Sequence, residues 1–550
     1  MKKVVGYPLP LGVTERNDVV NFSIVVERGK ECVLCIYKKG QAFPEVELEL
    51  YETDDVGEIR FTAFPKSEVN GMEYCYRIQG EYVLDPYAKN VCKSEAMPRS
   101  SVLLTSYDWE EDKRLCIPSH EVIAYSMHVR GFTKHASSKV KKKGTFQGVI
   151  EKISYLQQLG INQIQCMPVY NFEENKKYTN YWGYGEGLFF AVKDKYAAGN
   201  NPEKELKDMI KACHKAGIEV VLNFPFTDST SKQLILECLR YYVMEYHIDG
   251  FILNPYHVPM EIVKSDPILK DTKILENRDD FQNIMRRFLK GDEDMVPTVM
   301  KWISKNIGET NSCNYITTHT GFTLSDLVSY NEKHNEENGE ENQDGPDDNF
   351  SWNCGVEGLT RKKSVLDLRK KQMRNAMFLM LMSIGTPCIL AGDEFGNSQN
   401  GNNNVYCQDN ETAWLDWKGL DKEQQFYDYV RRLIELRKKY PILHSDVALK
   451  GTDQVGCGIP DISFHGENAW RPQLEKRSRQ LGVYYHDEKG TDIYIGYNMH
   501  YEAKKLALPL LTDGKEWHVV ISTATDVEED MVCEKQILIE PRTILMFVGR

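Results

Sequence analysis

The sequence contains no run of about 18 consecutive apolar residues, the length that a membrane-spanning helix needs. Its amino terminus (MKKVVGYPLPLG) has two lysines but lacks the apolar segment of a secretory signal. The chain also lacks an excess of basic residues, because its net charge is −13. Nucleic acids and anionic membranes are bound by basic surfaces. We therefore expect a cytoplasmic protein whose partners include neither nucleic acid nor membrane.

The 14 cysteines follow no repeating pattern of the kind that builds a disulfide or zinc framework. Cys32 and Cys35 form a C-x-x-C, but they lie in a strand-like run where a spacing of three residues puts them on opposite faces. No second such pair follows. We expect reduced, mostly buried thiols, and we predict no cofactor and no metal site.

The two ends of the chain have the alternation and the turn residues of β structure. Residues 1–115 contain five short β-like segments separated by Gly, Pro, Asn and Asp, which predicts an N-terminal β-sandwich. Residues 441–550 again have four strand-like segments, which predicts a C-terminal antiparallel β-sandwich domain. A chain of 550 residues is too long for one core, so three domains are reasonable.

Residues 116–440 alternate strand-like and helical segments, the pattern of a parallel sheet with helical crossovers. About eight strands are expected, beginning with residues 123–129 and including 218–224, 272–275 and 314–318. This number favours a (β/α)8 TIM-type barrel over an open sheet. The acidic stretch 332–349 interrupts the pattern and is typical of a solvated or disordered loop.

Several long segments carry a family resemblance. They are 125–132 (YSMHVRGF), 181–184 (YWGY), 321–335 (GFTLSDLVSYNEKHN), 351–358 (SWNCGVEG), 392–395 (GDEF) and 402–417 (NNNVYCQDNETAWLDW). Together they resemble the isoamylase and glycogen-debranching branch of glycoside hydrolase family 13, in the α-amylase superfamily. The resemblance extends over the whole chain. It implies that the N-terminal sandwich is a starch- or glycogen-binding type of module.

The resemblance also implies a reaction and a set of catalytic groups. Members of the family cleave α-glucosidic bonds with retention, using an Asp nucleophile, a Glu general acid and a second Asp that stabilises the transition state. Retention requires the nucleophile and the acid to lie only ~5–5.5 Å apart. Barrel enzymes carry such groups at the carboxyl ends of the strands.

The fourth barrel strand in this family ends in D-G-F-R-F-D, and its last Asp is the nucleophile. Here residues 249–254 read DGFILN, so Asn254 occupies the nucleophile position and Ile252 the position of the Arg. An amide is a poor nucleophile and does not stabilise an oxocarbenium ion as a carboxylate does. The two changes agree with each other, because an Arg without its anionic partner would be an unpaired charge.

The other active-site strands are also changed. After the third strand (LNFPFTDST, 222–230) the usual substrate-contacting His is missing, Asn223 and Asp228 stand in the motif, and the loops are shortened. The fifth strand keeps Glu276, which is either a surviving general acid or an ordinary surface glutamate. The seventh keeps His319 but has Thr320 at the stabiliser position. Loss of one member of a cooperating set typically costs about 10⁴-fold or more in rate.

Tyr184, Trp182 and His319 are the residues that the resemblance assigns to sugar contact, although all three are also compatible with structural packing. Some relatives bind calcium, and 344–349 (DGPDDN) has suitable oxygen ligands. An acidic solvated turn explains that segment as well, so no metal is predicted.

Three functions follow from the sequence. The first is a non-catalytic α-glucan-binding or regulatory protein, with a possible protein partner among the enzymes of glycogen metabolism. The second is an active α-1,6-glucosidase with a rewired centre, in which Glu276 is the acid and Asp228 the base of an inverting reaction. The third is an interaction scaffold that no longer binds sugar. A shared fold does not decide among them.

Overall fold

The computed structural model describes residues 1–52, 56–92, 97, 99–102, 104, 106–175, 177–454, 456–512, 514–524, 530–533 and 535–550. Its N-terminal part contains one short helix, α1 (Lys66–Val69), and eight strands. The strands are β1 (Gly12–Arg16), β2 (Val19–Val25), β3 (Cys32–Tyr37), β4 (Val46–Glu49), β5 (Ile59–Pro65), β6 (Glu73–Ile78), β7 (Glu81–Val83) and β8 (Ser100–Ser101).

These strands form two antiparallel sheets with a common apolar core. One sheet has the order β1-β2-β5, and the other has the order β4-β3-β6-β7, with β8 also pairing β6. Phe22 of the first sheet contacts Tyr74 of the second edge to face, with ring centroids 5.3 Å apart. Alternating apolar residues in β2 and β3 therefore point into the space between the sheets.

The middle part carries the parallel strands and most of the helices. Its strands are β9 (Ala124–Met127), β10 (Gln163–Cys166), β11 (Tyr170–Phe172), β12 (Gly187–Val192), β13 (Glu219–Phe224), β14 (Gly250–Leu253), β15 (Lys273–Glu276) and β16 (Cys388–Leu390). Its helices are α2 (Val129–Lys134), α3 (Phe146–Ile150), α4 (Ile153–Leu159), α5 (Pro202–Lys215), α6 (Lys232–Tyr246), α7 (Met260–Ser265), α8 (Asp280–Lys290), α9 (Val296–Ile303), α10 (Ile307–Thr310), α11 (Leu324–Leu327), α12 (Lys363–Leu381), α13 (Lys418–Lys422) and α14 (Gln424–Lys439). Within the described residues, no helix combines the length and apolar character that crossing a membrane requires.

The parallel sheet differs from the predicted eight-stranded barrel. Its six strands have the order β15-β14-β13-β10-β9-β16, and Asn314 adds a seventh segment through a parallel bridge to Pro387. The backbone N–H of Glu276 donates to the carbonyl of Asn311 at 2.7 Å, which brings β15 against this segment. Residues 277–313 are all described, and they form α8, α9 and α10 with no strand. One strand of a (β/α)8 barrel is therefore missing between β15 and Asn314.

The C-terminal part is antiparallel, as the sequence predicts. Its strands are β17 (Ile462–His465), β18 (Gln480–His486), β19 (Asp492–Asn498), β20 (Lys504–Ala507), β21 (Trp517–Ser522), β22 (Val532–Cys533), β23 (Gln536–Ile539) and β24 (Thr543–Gly549). The order of the larger sheet is β17-β18-β19-β24-β21-β22, and β20 pairs β23 beside it. One face of the larger sheet shares its buried apolar cluster with the parallel sheet and its helices.

Two adjacent buried carboxylates hold the turn after β16. Asp393 accepts hydrogen bonds from the backbone N–H of Leu324 at 2.8 Å and from the hydroxyl of Thr317. Glu394 accepts from the hydroxyls of Tyr125 in β9, at 2.8 Å, and Tyr155 in α4, at 2.5 Å. The GDEF segment therefore ties the last strand to the first strand and to the residues around 317–324.

The C-terminal end of α12 is capped by a buried guanidinium from α14. Arg437 donates to the carbonyls of Leu381, Ser383, Ile384 and Gly385 at 2.6–3.0 Å. Burial lowers the pKa of Arg437 to about 9, so the group remains charged at neutral pH. Leu381 is the last residue of α12, and the other three carbonyls belong to the turn that follows it, so the helix supplies no donor to them.

We predict that Arg437→Met lowers the free energy of unfolding by at least ~3 kcal/mol, because several buried carbonyls lose their donors. Arg431→Met is the matched control on the same helix. Arg431 is half-exposed and forms only surface ion pairs, so its loss should cost under ~0.5 kcal/mol. Chemical denaturation measures both changes. Equal effects of the two variants would contradict the capping role.

We also predict a pH effect from Asp393. Burial raises the pKa of this carboxyl to about 7, against an ordinary value of about 3.9. Between these values the folded state holds the proton and the unfolded state does not, so this group's contribution to stability falls as pH rises from about 4 to about 7. The asparagine in Asp393→Asn cannot ionise, so position 393 no longer lowers the stability of the folded state as pH rises.

The stability of Asp393→Asn relative to the wild type should therefore increase between about pH 5 and about pH 8, as measured by denaturation at each pH. Buried histidines whose pKa is lowered, such as His128 and His465, make the free energy of unfolding increase with pH, which is the opposite of the effect of Asp393. They are present in both proteins and cancel in the difference. A difference that does not vary with pH would show that Asp393 is ionised throughout.

Candidate functional site

The carboxyl ends of the parallel strands bring some of the predicted site residues together. The side-chain amide of Asn223 in β13 donates to the hydroxyl of Tyr184 at 3.2 Å. His319 lies 3.1 Å from the hydroxyl of Ser126 in β9, measured from its Nε2. Burial lowers the pKa of His319 to about 3, so its ring is neutral at physiological pH. A neutral imidazole at this edge can exchange hydrogen bonds but carries no charge.

Glu276 lies at the end of β15 and is only 6% exposed. Its Oε1 accepts from the ammonium of Lys264 at 3.3 Å, and its Oε2 accepts from the guanidinium of Arg278 at 2.6 and 2.8 Å. Both carboxylate oxygens are thus engaged by positive groups. A general acid would have to carry its proton on one of these two oxygens and break an ion pair to do so.

Asn254, at the nucleophile position, uses its amide locally. Its Oδ1 accepts from the backbone N–H of Tyr256 at 3.0 Å, which closes the turn after β14. Ile252 packs against an apolar cluster that includes Val221 and Leu275 on the neighbouring strands. An apolar side chain fills the place where the family resemblance puts a guanidinium, so this edge of β14 carries no charge.

Asp228 has a partner that sequence reasoning missed. Its Oδ1 lies 2.6 Å from Nδ1 of His257, and its side chain is 86% exposed. His257 follows Asn254 by three residues, and a single loop histidine gives no signal in the sequence. Thr320 is exposed, and the hydroxyl of Thr318 lies 3.4 Å from both its hydroxyl and its carbonyl. No described contact joins Asp228 or Thr320 to Glu276.

An aromatic groove lies beside Tyr184 and has a volume of about 510 Å³. Its lining residues are Lys177, Tyr178, Asn180, Trp182, Tyr184, Glu340, Asp344, Asn404 and Tyr406. Trp182 is 4% exposed and backs the wall, with its ring 5.5 Å from that of Tyr184 and 6.4 Å from that of Tyr406. The three tyrosine rings are partly exposed. The groove offers flat apolar faces with amide and carboxylate groups between them.

Two groove residues, Tyr178 and Tyr406, were not found from the sequence. Tyr406 lies in the 402–417 segment that carries the family resemblance, which was the one available signal. Its hydroxyl donates to Glu340, and its ring contacts that of Tyr178 edge to face, with centroids 6.5 Å apart. Residues from three distant parts of the chain therefore form this wall.

The acidic stretch 332–349 is a largely exposed loop, as one of the two alternatives from the sequence predicts, but amide side chains hold it in an ordered conformation rather than a disordered one. Oδ2 of Asp344 accepts from the amides of Asn338 at 2.7 Å, Asn404 at 2.9 Å and Asn335 at 3.3 Å. Asn403 in turn receives and donates bonds with Asn335 and Asn349. Among the described residues, no group of three or more His, Cys, Asp or Glu side chains is placed to hold a metal ion.

Comparison with known proteins gives a consistent family assignment. Residues 130–234 match the α-amylase catalytic domain, and residues 463–545 match the C-terminal domain of isoamylases 1–3. The chain is similar to the chloroplastic isoamylase 3 of Oryza sativa subsp. japonica, with 30% identity over 672 positions that cover 96% of this chain and 84% of the rice protein. It is also similar to the glycogen debranching enzyme of Erwinia tasmaniensis, with 31% identity over 80% of this chain and 85% of that enzyme.

The alignment with the rice protein is longer than this chain, so the rice isoamylase contains segments that this chain lacks. Among solved structures, a pullulanase from Bacillus acidopullulyticus has a TM-score of 0.76 at 17% identity, covering 98% of this chain and 75% of that one. The catalytic module of the pneumococcal glycogen-degrading protein SpuA also has a TM-score of 0.76, at 17% identity, covering 99% and 97%. At this identity the two structures support the fold alone. The relatives at 30% identity and above confirm the resemblance found in the sequence: the chain belongs to the isoamylase and glycogen-debranching branch of glycoside hydrolase family 13.

Proposed function

We propose that this chain binds α-glucan in the aromatic groove and does not carry out ordinary retaining hydrolysis at its strand ends. The absence of retaining hydrolysis is supported by the end of β14, where Asn254 closes a turn and Ile252 packs against apolar side chains. A retaining mechanism needs a nucleophilic carboxylate ~5–5.5 Å from the general acid. The nucleophile position holds an amide instead.

The lining of the groove supports the proposed binding of α-glucan. Three partly exposed tyrosines and amide and carboxylate side chains provide the stacking faces and the hydrogen-bonding groups that a pyranose ring uses. One related pullulanase was solved in complex with maltose and another in complex with maltotetraose. We infer the same class of ligand here. A protein partner among the enzymes of glycogen metabolism and a cytoplasmic location remain predictions from the sequence.

A second candidate is an active α-1,6-glucosidase with a rewired centre. The Asp228–His257 pair favours it, because a histidine oriented by a carboxylate is a suitable general base for water. Glu276 would be the acid, and it would have to be released from Lys264 and Arg278. The third candidate, a scaffold without sugar affinity, is distinguished from both by binding alone.

We expect no reducing-sugar release from glycogen, pullulan or branched maltooligosaccharides at high protein concentration, because the nucleophile is absent. If release occurs, the Glu276→Gln variant decides its origin. Turnover lost in Glu276→Gln but kept in the control Glu261→Gln, an exposed residue of α7, would establish the rewired enzyme and contradict our proposal. Turnover unchanged in both variants would come from a contaminating glycosidase.

We expect Tyr178→Ala and Tyr406→Ala each to weaken binding to maltooligosaccharides about 10-fold, since a truncated aromatic at the centre of an interface costs roughly 1–2 kcal/mol. Tyr501→Ala is the control, because Tyr501 is exposed in the C-terminal part and outside the groove. Calorimetric titration measures all three. Wild-type binding that is unaffected by the groove variants would place the glucan elsewhere, and absence of wild-type binding would favour the scaffold.

A further inference from the structure

In the C-terminal part of the chain, a thiol contacts an imidazole, and the imidazole contacts a carboxylate. None of the three residues belongs to the segments that form the aromatic groove. Sγ of Cys457 lies 3.6 Å from Nε2 of His486, and Nδ1 of His486 lies 2.7 Å from Oδ1 of Asp492. The thiol is exposed and the carboxylate is buried. We call these three residues the thiol site. Their order is that of a nucleophile, a base and a group that orients the base.

The imidazole and the carboxylate are fixed by a β-hairpin. His486 ends β18 and Asp492 begins β19, and the two residues are directly opposite each other in the antiparallel register. Asp492 also accepts from the hydroxyl of Tyr484 and the ammonium of Lys515, both at 2.7 Å. Burial opposes ionisation of Asp492, but the hydrogen bonds from Lys515, Tyr484 and His486 hold its pKa below the ordinary value.

An ionised Asp492 sets the tautomer of the histidine. Because an ionised carboxylate only accepts, Nδ1 of His486 keeps the proton and donates a hydrogen bond to Asp492, and the lone pair of Nε2 is then directed at Cys457. The thiol has two other acceptors nearby, the carbonyl of Ile459 at 3.7 Å and Oδ1 of Asp453 at 3.8 Å. The imidazole is the nearest of the three and the one basic enough to take the proton.

The loop before β17 presents the thiol on a tight turn. Gly456 and Gly458, on either side of Cys457, both have positive φ angles, 76° and 84°, which favour glycine. The carboxylate of Asp453 accepts from the backbone N–H groups of Gly456, Cys457 and Gly458 at 2.7, 3.2 and 2.6 Å. These bonds hold the turn in place beside the end of β18.

We propose that Cys457 is a nucleophilic thiol that exchanges with low-molecular-mass disulfides, with His486 as its proton acceptor and Asp492 as the group that positions His486. In the step, the Cys457 sulfur attacks one sulfur of the disulfide, and a new S–S bond forms as the old one breaks. Nε2 of His486 takes the thiol proton and gives it to the departing thiolate. The products are a mixed disulfide on Cys457 and one free small thiol, so no further oxidant is needed.

The turn geometry favours disulfide exchange over acyl transfer. Acyl transfer develops a tetrahedral oxyanion, which needs backbone N–H donors beside the nucleophile. Here the N–H groups of Gly456, Cys457 and Gly458 already bind the carboxylate of Asp453. Disulfide exchange proceeds by attack of a thiolate on sulfur and forms no oxyanion, so it does not need these donors.

A cavity next to the thiol site has room for the body of such a molecule. Its volume is about 520 Å³, within the usual range for small-molecule sites. His486 and Ile459 line it and also contact Cys457, so the cavity adjoins the two residues nearest the sulfur, while Cys457 itself is not part of its lining. Val447 and Leu449 give it apolar walls. Its charged lining is mixed, because Lys450 and Lys489 line it together with Glu121, Asp446, Asp461, Asp487 and Glu488.

The test is the rate of reaction with dithiobis(nitrobenzoate), an aromatic disulfide that releases a coloured thiolate, using the full-length protein. Cys116 is the internal control, because it is also exposed and its thiol has no described histidine neighbour. An unassisted thiol is only a few per cent thiolate at neutral pH. We therefore expect Cys457 to react about 10-fold faster than Cys116 near pH 7, with the advantage disappearing near pH 10.

The fast phase should be absent in Cys457→Ser, be retained in Cys116→Ser and slow about 10-fold in His486→Gln, and mass spectrometry should locate the adduct on Cys457. Equal rates for the two thiols at neutral pH, or a pH profile of Cys457 that matches that of Cys116, would overturn the proposal. Since the wild type and Cys457→Ser decide that comparison, the test stands even if His486→Gln fails to fold.

Discussion

Two neighbouring carboxylates, Asp393 and Glu394, determine how the parallel sheet closes. They are buried in the turn after β16, and between them they bind Thr317, Leu324, Tyr125 and Tyr155. The last strand is thereby fixed to the first, and the segment that ends at His319 is held beside both. Burial of two acids is unfavourable unless each is hydrogen-bonded. Their hydrogen bonds add to the direct pairing of β9 with β16 and fix the segment around 317–324 beside these strands.

The remaining charges at the strand ends are paired. The family resemblance places an Asp and an Arg on the fourth strand, and the chain replaces both with neutral side chains, Asn254 and Ile252. Glu276 is neutralised by Lys264 and Arg278, and Asp228 pairs with His257. A single replacement would have left a partly buried charge without its partner, which is strongly destabilising. Glu276 and Asp228 are thus each held by a basic side chain, as the ion pairs with Lys264, Arg278 and His257 show.

The aromatic groove and the strand ends at the family's catalytic positions are built by different segments, which meet where Asn223 donates to Tyr184. The groove is formed by residues around the β11–β12 hairpin and by the loops at 331–349 and 397–408, whereas the catalytic positions lie at the ends of β13, β14 and β15. An Asn-rich hydrogen-bond network fixes those loops without any contribution from the catalytic positions. Asn254 is accordingly not among the residues that line the groove. The thiol site is separate again, because its geometry depends on the β18–β19 hairpin.

Local pattern was enough to determine several features of this protein. The alternation of short apolar segments predicted the antiparallel ends and the parallel middle, and the family resemblance at residues 249–254 predicted that Asn254 and Ile252 replace an Asp and an Arg. These features depend on residues close together in the chain. Only the tertiary structure decided the others: the missing strand between β15 and Asn314, the ion pairs of Glu276, the meeting of Tyr178 with Tyr406, and the contact of Cys457 with His486. The Tyr178–Tyr406 contact joins segments that are far apart in sequence, and the Cys457–His486 contact joins the loop before β17 to the end of β18. Even the ion pairs of Glu276 with the nearby Lys264 and Arg278 depend on side-chain positions that the packing of the whole chain sets, rather than any local preference.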